Sequence, residues 1–137
     1  MALASHRVQV DTTKENLWNL LLDKTKSPQK YIKSITNVKV LEQIDDNTII
    51  REMVLGNGKK LKEIITSDPK SLTIIFKSLE DPSATSLVTN VVYEEDNKLY
   101  LEYILSSTPK PGYDDEAADV ASLLKGAVEH TKKIAEN

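Results

Sequence analysis

The spacing of hydrophobic positions runs from a period of two to a helical period, back to two for most of the chain, and to a helical period again at the end. His6-Arg7-Val8-Gln9-Val10 alternates and predicts a first strand. Thr12-Thr13-Lys14-Glu15 matches a capping box, with the Thr12 hydroxyl accepting an early helical N–H and Glu15 reaching back. The helix that follows carries Leu17, Trp18 and Leu21 on one face. Ser27-Pro28 predicts a short second helix, with proline at the first helical position where a missing N–H costs nothing, and Tyr31 and Ile32 on its apolar side. From Val38 the period is two again. Strands are predicted from Val38 to about Asp45, Ile49 to Leu55, Lys59 to Thr66, Leu72 to Leu79, Thr85 to Tyr93 and Leu99 to Leu105. Every break between them holds Gly, Pro, Asn or Asp, and connections this short require antiparallel neighbours.

Pro109-Lys110-Pro111-Gly112 interrupts the strands, and a last helix is predicted from about Asp114 to Glu136. Asp114-Asp115-Glu116 places acids at its positive end and Lys132-Lys133 places cations near its negative end. Ala117, Val120, Ala121, Leu124, Ala127, Val128 and Ile134 form one apolar stripe. At roughly 33 Å such a helix spans a whole sheet. The pattern is that of an α+β protein with one antiparallel sheet against one long amphipathic helix.

Pairing within the hairpins indicates which face of the sheet is inside. With Gly56-Asn57-Gly58 as a three-residue loop, Met53 faces Leu61, Arg51 faces Glu63 and Ile49 faces Ile65. The other face then pairs Ile50 with Ile64, Glu52 with Lys62 and Val54 with Lys60, as a solvated face with a surface ion pair does. A two-residue turn at Asp96-Asn97 pairs Val92 with Leu101, Asn90 with Tyr103 and Val88 with Leu105. Leu72, Ile74 and Phe76 supply a matching apolar face. Arg51, Glu63, Asn90 and the hydroxyl of Tyr103 are thus polar groups on an otherwise apolar surface.

Composition narrows the picture. A length of 137 residues suits one domain, residues 1–137, with one core. A net charge of −3 gives a nucleic-acid role no electrostatic support. There is no cysteine, hence no disulfide framework and no thiolate chemistry, which suits a cytoplasmic protein. The first residues lack the apolar core of a signal peptide, and no apolar run reaches the roughly 18 residues that span a membrane, so stable membrane insertion is not expected. His6 and His130 do not have metal-ligand spacing, and no phosphate-binding, nucleophile-elbow or Cys-x-x-Cys motif is present, so neither metal nor cofactor is expected. Trp18 reads as core rather than as a stacking platform.

Two readings of the inward polar residues compete. Arg51 and Glu63 are either a self-compensating buried pair or the lining of a water-accessible pocket that orients a ligand. Asn90 is open to a backbone role at a bulge, and Tyr103 to ordinary packing with its hydroxyl at the rim. On the pocket reading, the walls are Val120, Leu124 and Val128 of the helix and Met53, Leu61, Phe76 and Leu101 of the sheet.

The order of elements, together with Leu17-Trp18, Ser27-Pro28-Gln29, Ile50-Arg51-Glu52, Leu61-Lys62-Glu63, Val88-Thr89-Asn90 and Leu99-Tyr100-Leu101, resembles the AtaL-like family of the START, Bet v 1 and polyketide-cyclase-like (SRPBCC) helix-grip superfamily. The resemblance implies a seven-stranded antiparallel sheet wrapped around the terminal helix, with a cavity between them for a hydrophobic small molecule. It also implies Arg51, Glu63 and Asn90 as pocket polar residues. The resulting expectation is a carrier or sensor of an apolar ligand. The alternatives are a metal-free cyclase or isomerase acting on a polyketide-like substrate, and an interaction module using the sheet's outer face. In the enzyme, Arg51 would stabilise an enolate and Glu63 or Tyr103 would move a proton. Arg51 opposite Glu63 should lower the pKa of that carboxyl, which argues against a base there. No catalytic residue is assigned, and a homodimer is left open.

Overall fold

A computed structural model describes residues 2–113 and 117–137 of the chain. The expected acidic helix start, Asp114-Asp115-Glu116, lies outside the described residues, as do the side chains of residues 117–121, Val120 among them. The elements run β1 (Ala2–Gln9), α1 (Lys14–Lys26), a 3-10 turn (Pro28–Lys30), β2 (Thr36–Asp45), β3 (Thr48–Val54), β4 (Lys60–Asp68), β5 (Thr73–Leu79), β6 (Ala84–Glu95), β7 (Lys98–Pro109) and α2 (Ala117–Ala135). The strands form one seven-stranded antiparallel sheet in the order β1-β7-β6-β5-β4-β3-β2. Consecutive strands from β2 to β7 are neighbours, and β1 crosses over to pair with β7.

Both hairpin registers follow the turn chemistry. Arg51 opposes Glu63 and Met53 opposes Leu61, with the Leu55 N–H donating to the Lys59 carbonyl across the Gly56–Gly58 loop at 2.9 Å. Asp96 and Asn97 both have positive φ, 53° and 61°, as a two-residue primed turn demands, and Asn90 opposes Tyr103. This last hairpin runs on to Ala84 and Pro109, beyond the apolar stretch, because its ladder continues through serines and threonines. The outer-face ion pair differs from the expected one. Lys62 bonds Glu80 at 3.1 Å, and Lys60 approaches Glu52 at 3.9 Å, because long side chains reach diagonal partners as readily as the one directly opposite.

The first helix is capped one residue later than the sequence suggests. The Thr13 hydroxyl accepts from the Asn16 N–H at 3.1 Å, and Thr12 instead accepts from the Asn16 side chain at 2.8 Å. Glu15 stands in the first turn, next to the positive helix end. The segment at Pro28 is a single 3-10 turn, and Ser27 makes no side-chain cap to it. Leu17, Trp18 and Leu21 of α1 are buried against Ile49, Ile65, Ile74, Val92, Leu99 and Leu101 of the sheet and against Leu124, Val128 and Ala135 of α2. Strand β2, at the edge, is exposed nearly throughout and carries three register shifts. Such bulges twist an edge away from further pairing. Among the described residues no helix is long and apolar enough to cross a membrane.

Candidate functional site

A cavity of about 460 Å³ lies between the sheet and the helices. Its walls come from strands β3 to β7, from Lys24 near the end of α1, from Pro28, Ile32 and Ile35 beyond it, and from Leu124 and Ala127 of α2. The lining is apolar apart from Lys24, Arg51, Glu63, Asn90 and the Tyr103 hydroxyl. The space exists because α1 stops at Lys26. Pro28 turns the chain into a 3-10 turn, so no helical side chain fills the volume that Leu17 and Leu21 fill at the other end.

The sequence-predicted residues are largely brought together. Arg51, Met53, Leu61, Glu63, Phe76, Asn90, Tyr103 and Leu124 all line the cavity. Leu101 and Val128 do not; both are completely buried in the solid core and lie outside the lining. Strand alternation placed Leu101, and helical spacing Val128, on the correct face, but neither carries information about position along that face.

Arg51 and Glu63 are each buried, with 4% and 8% of their surface exposed. Arg51 Nη2 donates to Glu63 Oε1 at 2.6 Å. Its Nη1 donates to the carbonyl of Thr25 at 2.8 Å and to that of Lys24 at 3.4 Å. Arg51 thus caps the negative end of α1 while pairing with β4. The guanidinium also lies 5.7 Å from the Phe76 ring centre. Among the described residues its Nε, and the side-chain oxygen of Asn90, are buried without a partner.

A second polar cluster joins α1, β7 and α2. Lys24 Nζ lies 3.1 Å from the Tyr103 hydroxyl and 3.2 Å from Thr131 Oγ1, and the two hydroxyls are 2.8 Å apart. Thr131 also donates to the Ala127 carbonyl at 3.0 Å. Sequence reasoning missed Lys24 and Thr131. A signal for each was present: Lys24 follows Leu17 and Leu21 at helical spacing, and Thr131 follows Leu124 and Val128. A polar residue on the apolar stripe of a helix points at the interior.

Outside the cavity lining, the Tyr31 hydroxyl donates to Asp23 of α1 at 2.6 Å, and His130 of α2 lies 2.7 Å from the Tyr31 carbonyl, which accepts. Burial and the Asp23 bond push the Tyr31 phenol up to about 12. The same bond, aided by Lys30, holds the Asp23 carboxyl below its ordinary value.

A protein-family model described as acetylaranotin biosynthesis cluster protein L, AtaL, matches residues 4–136. No curated protein matches the chain in sequence. Among solved structures, the Zhui aromatase/cyclase from Streptomyces sp. R1128 superposes with a TM-score of 0.76 at 16% identity, covering 98% of this chain and 93% of that one. Ara h 8.0201 gives 0.75 at 11% identity, covering 97% and 96%. The di-domain ARO/CYC StfQ from the steffimycin biosynthetic pathway gives 0.75 at 12% identity, covering 98% of this chain and 49% of that one, so the chain spans about half its length. These likenesses establish a shared Bet v 1-like, helix-grip fold.

Proposed function

This chain belongs to the AtaL family, and we propose that it binds one apolar small molecule in the cavity between the sheet and α2, as a carrier or sensor. The observation that carries this reading is the cavity itself: about 460 Å³, with an apolar wall and a few converging polar groups. Small-molecule sites commonly measure roughly 300–1,000 Å³ and have that composition. Arg51, Met53, Leu61, Glu63, Phe76, Asn90, Tyr103 and Leu124 are the binding residues on this reading. A second reading, a cyclase or isomerase acting on a polyketide-like substrate, draws on the aromatase/cyclase names of two structural neighbours and on the Tyr103 hydroxyl held beside the Lys24 ammonium. The carrier is favoured because Glu63, the carboxylate on the wall, is engaged by Arg51 at 2.6 Å rather than free to act as a base.

The test is mass spectrometry of small molecules retained through native purification, followed by titration with a neutral environment-sensitive dye. A co-purifying apolar compound and one saturable dye site are expected. A folded protein without a saturable site would defeat the proposal. Turnover of the retained compound would favour the enzyme.

A further inference from the structure

We infer that the ligand of this cavity carries an anionic oxygen, of the carboxylate or phenolate type, and that Lys24 receives it; this rests on the binding reading above. Three charged side chains line the cavity: Lys24, Arg51 and Glu63. Arg51 and Glu63 neutralise each other at 2.6 Å. Lys24 is left as the uncompensated charge, because among the described residues it forms no ion pair and its side-chain partners are hydroxyls.

Counting protons shows what the ammonium still has to give. The Thr131 hydroxyl spends its proton on the Ala127 carbonyl at 3.0 Å. The 2.8 Å contact between Tyr103 and Thr131 must then take its proton from Tyr103. Both oxygens are therefore turned toward Lys24 as acceptors, at 3.1 and 3.2 Å. An ammonium has three protons to donate. Two are committed, the two hydroxyls fix where the nitrogen sits, and the third proton and the full charge are left over on a residue of the cavity wall. A cation beside apolar surface is costly without a counter-charge. The Tyr103 ring lies 5.2 Å from the ammonium, but among the described residues no carboxylate pairs with it, and an anionic ligand would.

The rest of the lining fits one charged group on an apolar body. Arg51 and Glu63 are paired with each other, and apart from Asn90 and the Tyr103 hydroxyl the remaining wall is apolar. A ligand with an apolar body and one anionic group matches this lining. A plain hydrocarbon leaves the ammonium unmet.

Displacement of a neutral reporter, N-phenyl-1-naphthylamine, tests the inference. The competitors are 2-naphthoate and its methyl ester, which share one ring system and differ in charge. Naphthoate should displace the reporter at about tenfold lower concentration than the ester, the scale of one charge-assisted hydrogen bond. In Lys24→Met the preference of acid over ester should vanish, each competitor being read against that variant's own reporter affinity. Lys24→Arg should retain part of the preference. Lys24→Gln serves the same purpose should the methionine variant fail to fold. Equal displacement by acid and ester in the native protein, or a preference that survives in a folded Lys24→Met or Lys24→Gln protein, overturns the inference and leaves apolar binding standing. A reporter that never binds removes the cavity-binding reading and this one with it.

Discussion

Two stretches of the same strands behave differently. On β5, β6 and β7, Ile74, Val92 and Leu101 are sealed, whereas Phe76, Val88 and Leu105, a few residues along, are only partly buried and surround open space. All six are apolar, and their strands are continuous, so composition does not explain the contrast. What changes is the covering layer. Leu17 and Leu21 of α1 press on the sealed end, but beyond Lys26 the helix gives way to the Pro28 turn. The open space is thus set by where a helix stops, not by any property of the sheet that forms most of the wall.

The largest test of this contrast is Arg51 and Glu63, which sit where the two regions meet. Each is almost closed to water, so Arg51→Met or Glu63→Leu alone should cost roughly 3–5 kcal/mol in denaturant unfolding, and the double replacement should recover most of it. A much smaller single loss would mean that cavity water solvates the survivor. The pair, already part of the cavity wall, would then count energetically with the open end rather than the sealed one. Next comes a matched truncation on one strand. Leu101→Ala should cost about 2–5 kcal/mol, and Leu105→Ala about 1 kcal/mol or less, since the second side chain already borders space. Equal losses would erase the distinction between sealed and open ends. Leu124→Trp should fill the cavity and abolish binding of a neutral dye while shifting stability by no more than about 1 kcal/mol; undiminished affinity in the folded variant would move the site elsewhere. The smallest effect is at the Tyr31–Asp23 contact. Because the folded Asp23 value is depressed, the bond's contribution is present above the ordinary carboxylate range and is lost as pH falls through the folded value. Tyr31→Phe should raise the Asp23 value toward normal, read by carboxyl NMR titration; an unmoved titration would show that the bond does not form in solution.

The features legible in the sequence were those that short-range rules determine. The pairings of Arg51 with Glu63 and of Asn90 with Tyr103 follow from a loop of known length and the alternation of the strands beside it. Depth along a face was not legible. Leu101 and Leu105 have the same parity, and only the docking of α1 separates them. Helical spacing could have marked Lys24 as inward-facing, but not its partners, since Tyr103 and Thr131 lie far downstream. The exchange of Thr12 for Thr13 at the helix cap is a choice between adjacent hydroxyls that the motif alone does not rank.

The crossover of β1 also bears on the order in which the molecule can form. Val8 pairs with Leu101 and Ala2 with Ser107, a separation of roughly a hundred residues, the kind of distant pairing that slows folding. The hairpins from β2 to β7 can zip up in sequence as the chain emerges from the ribosome, but β1 must wait for the last strand, and α2 then packs against both. Until that moment the free edge of β7 and the inner face of the sheet are exposed together. The cavity is closed only when Leu124 and Ala127 of α2 come over the finished strands, so the candidate site forms after every strand that lines it.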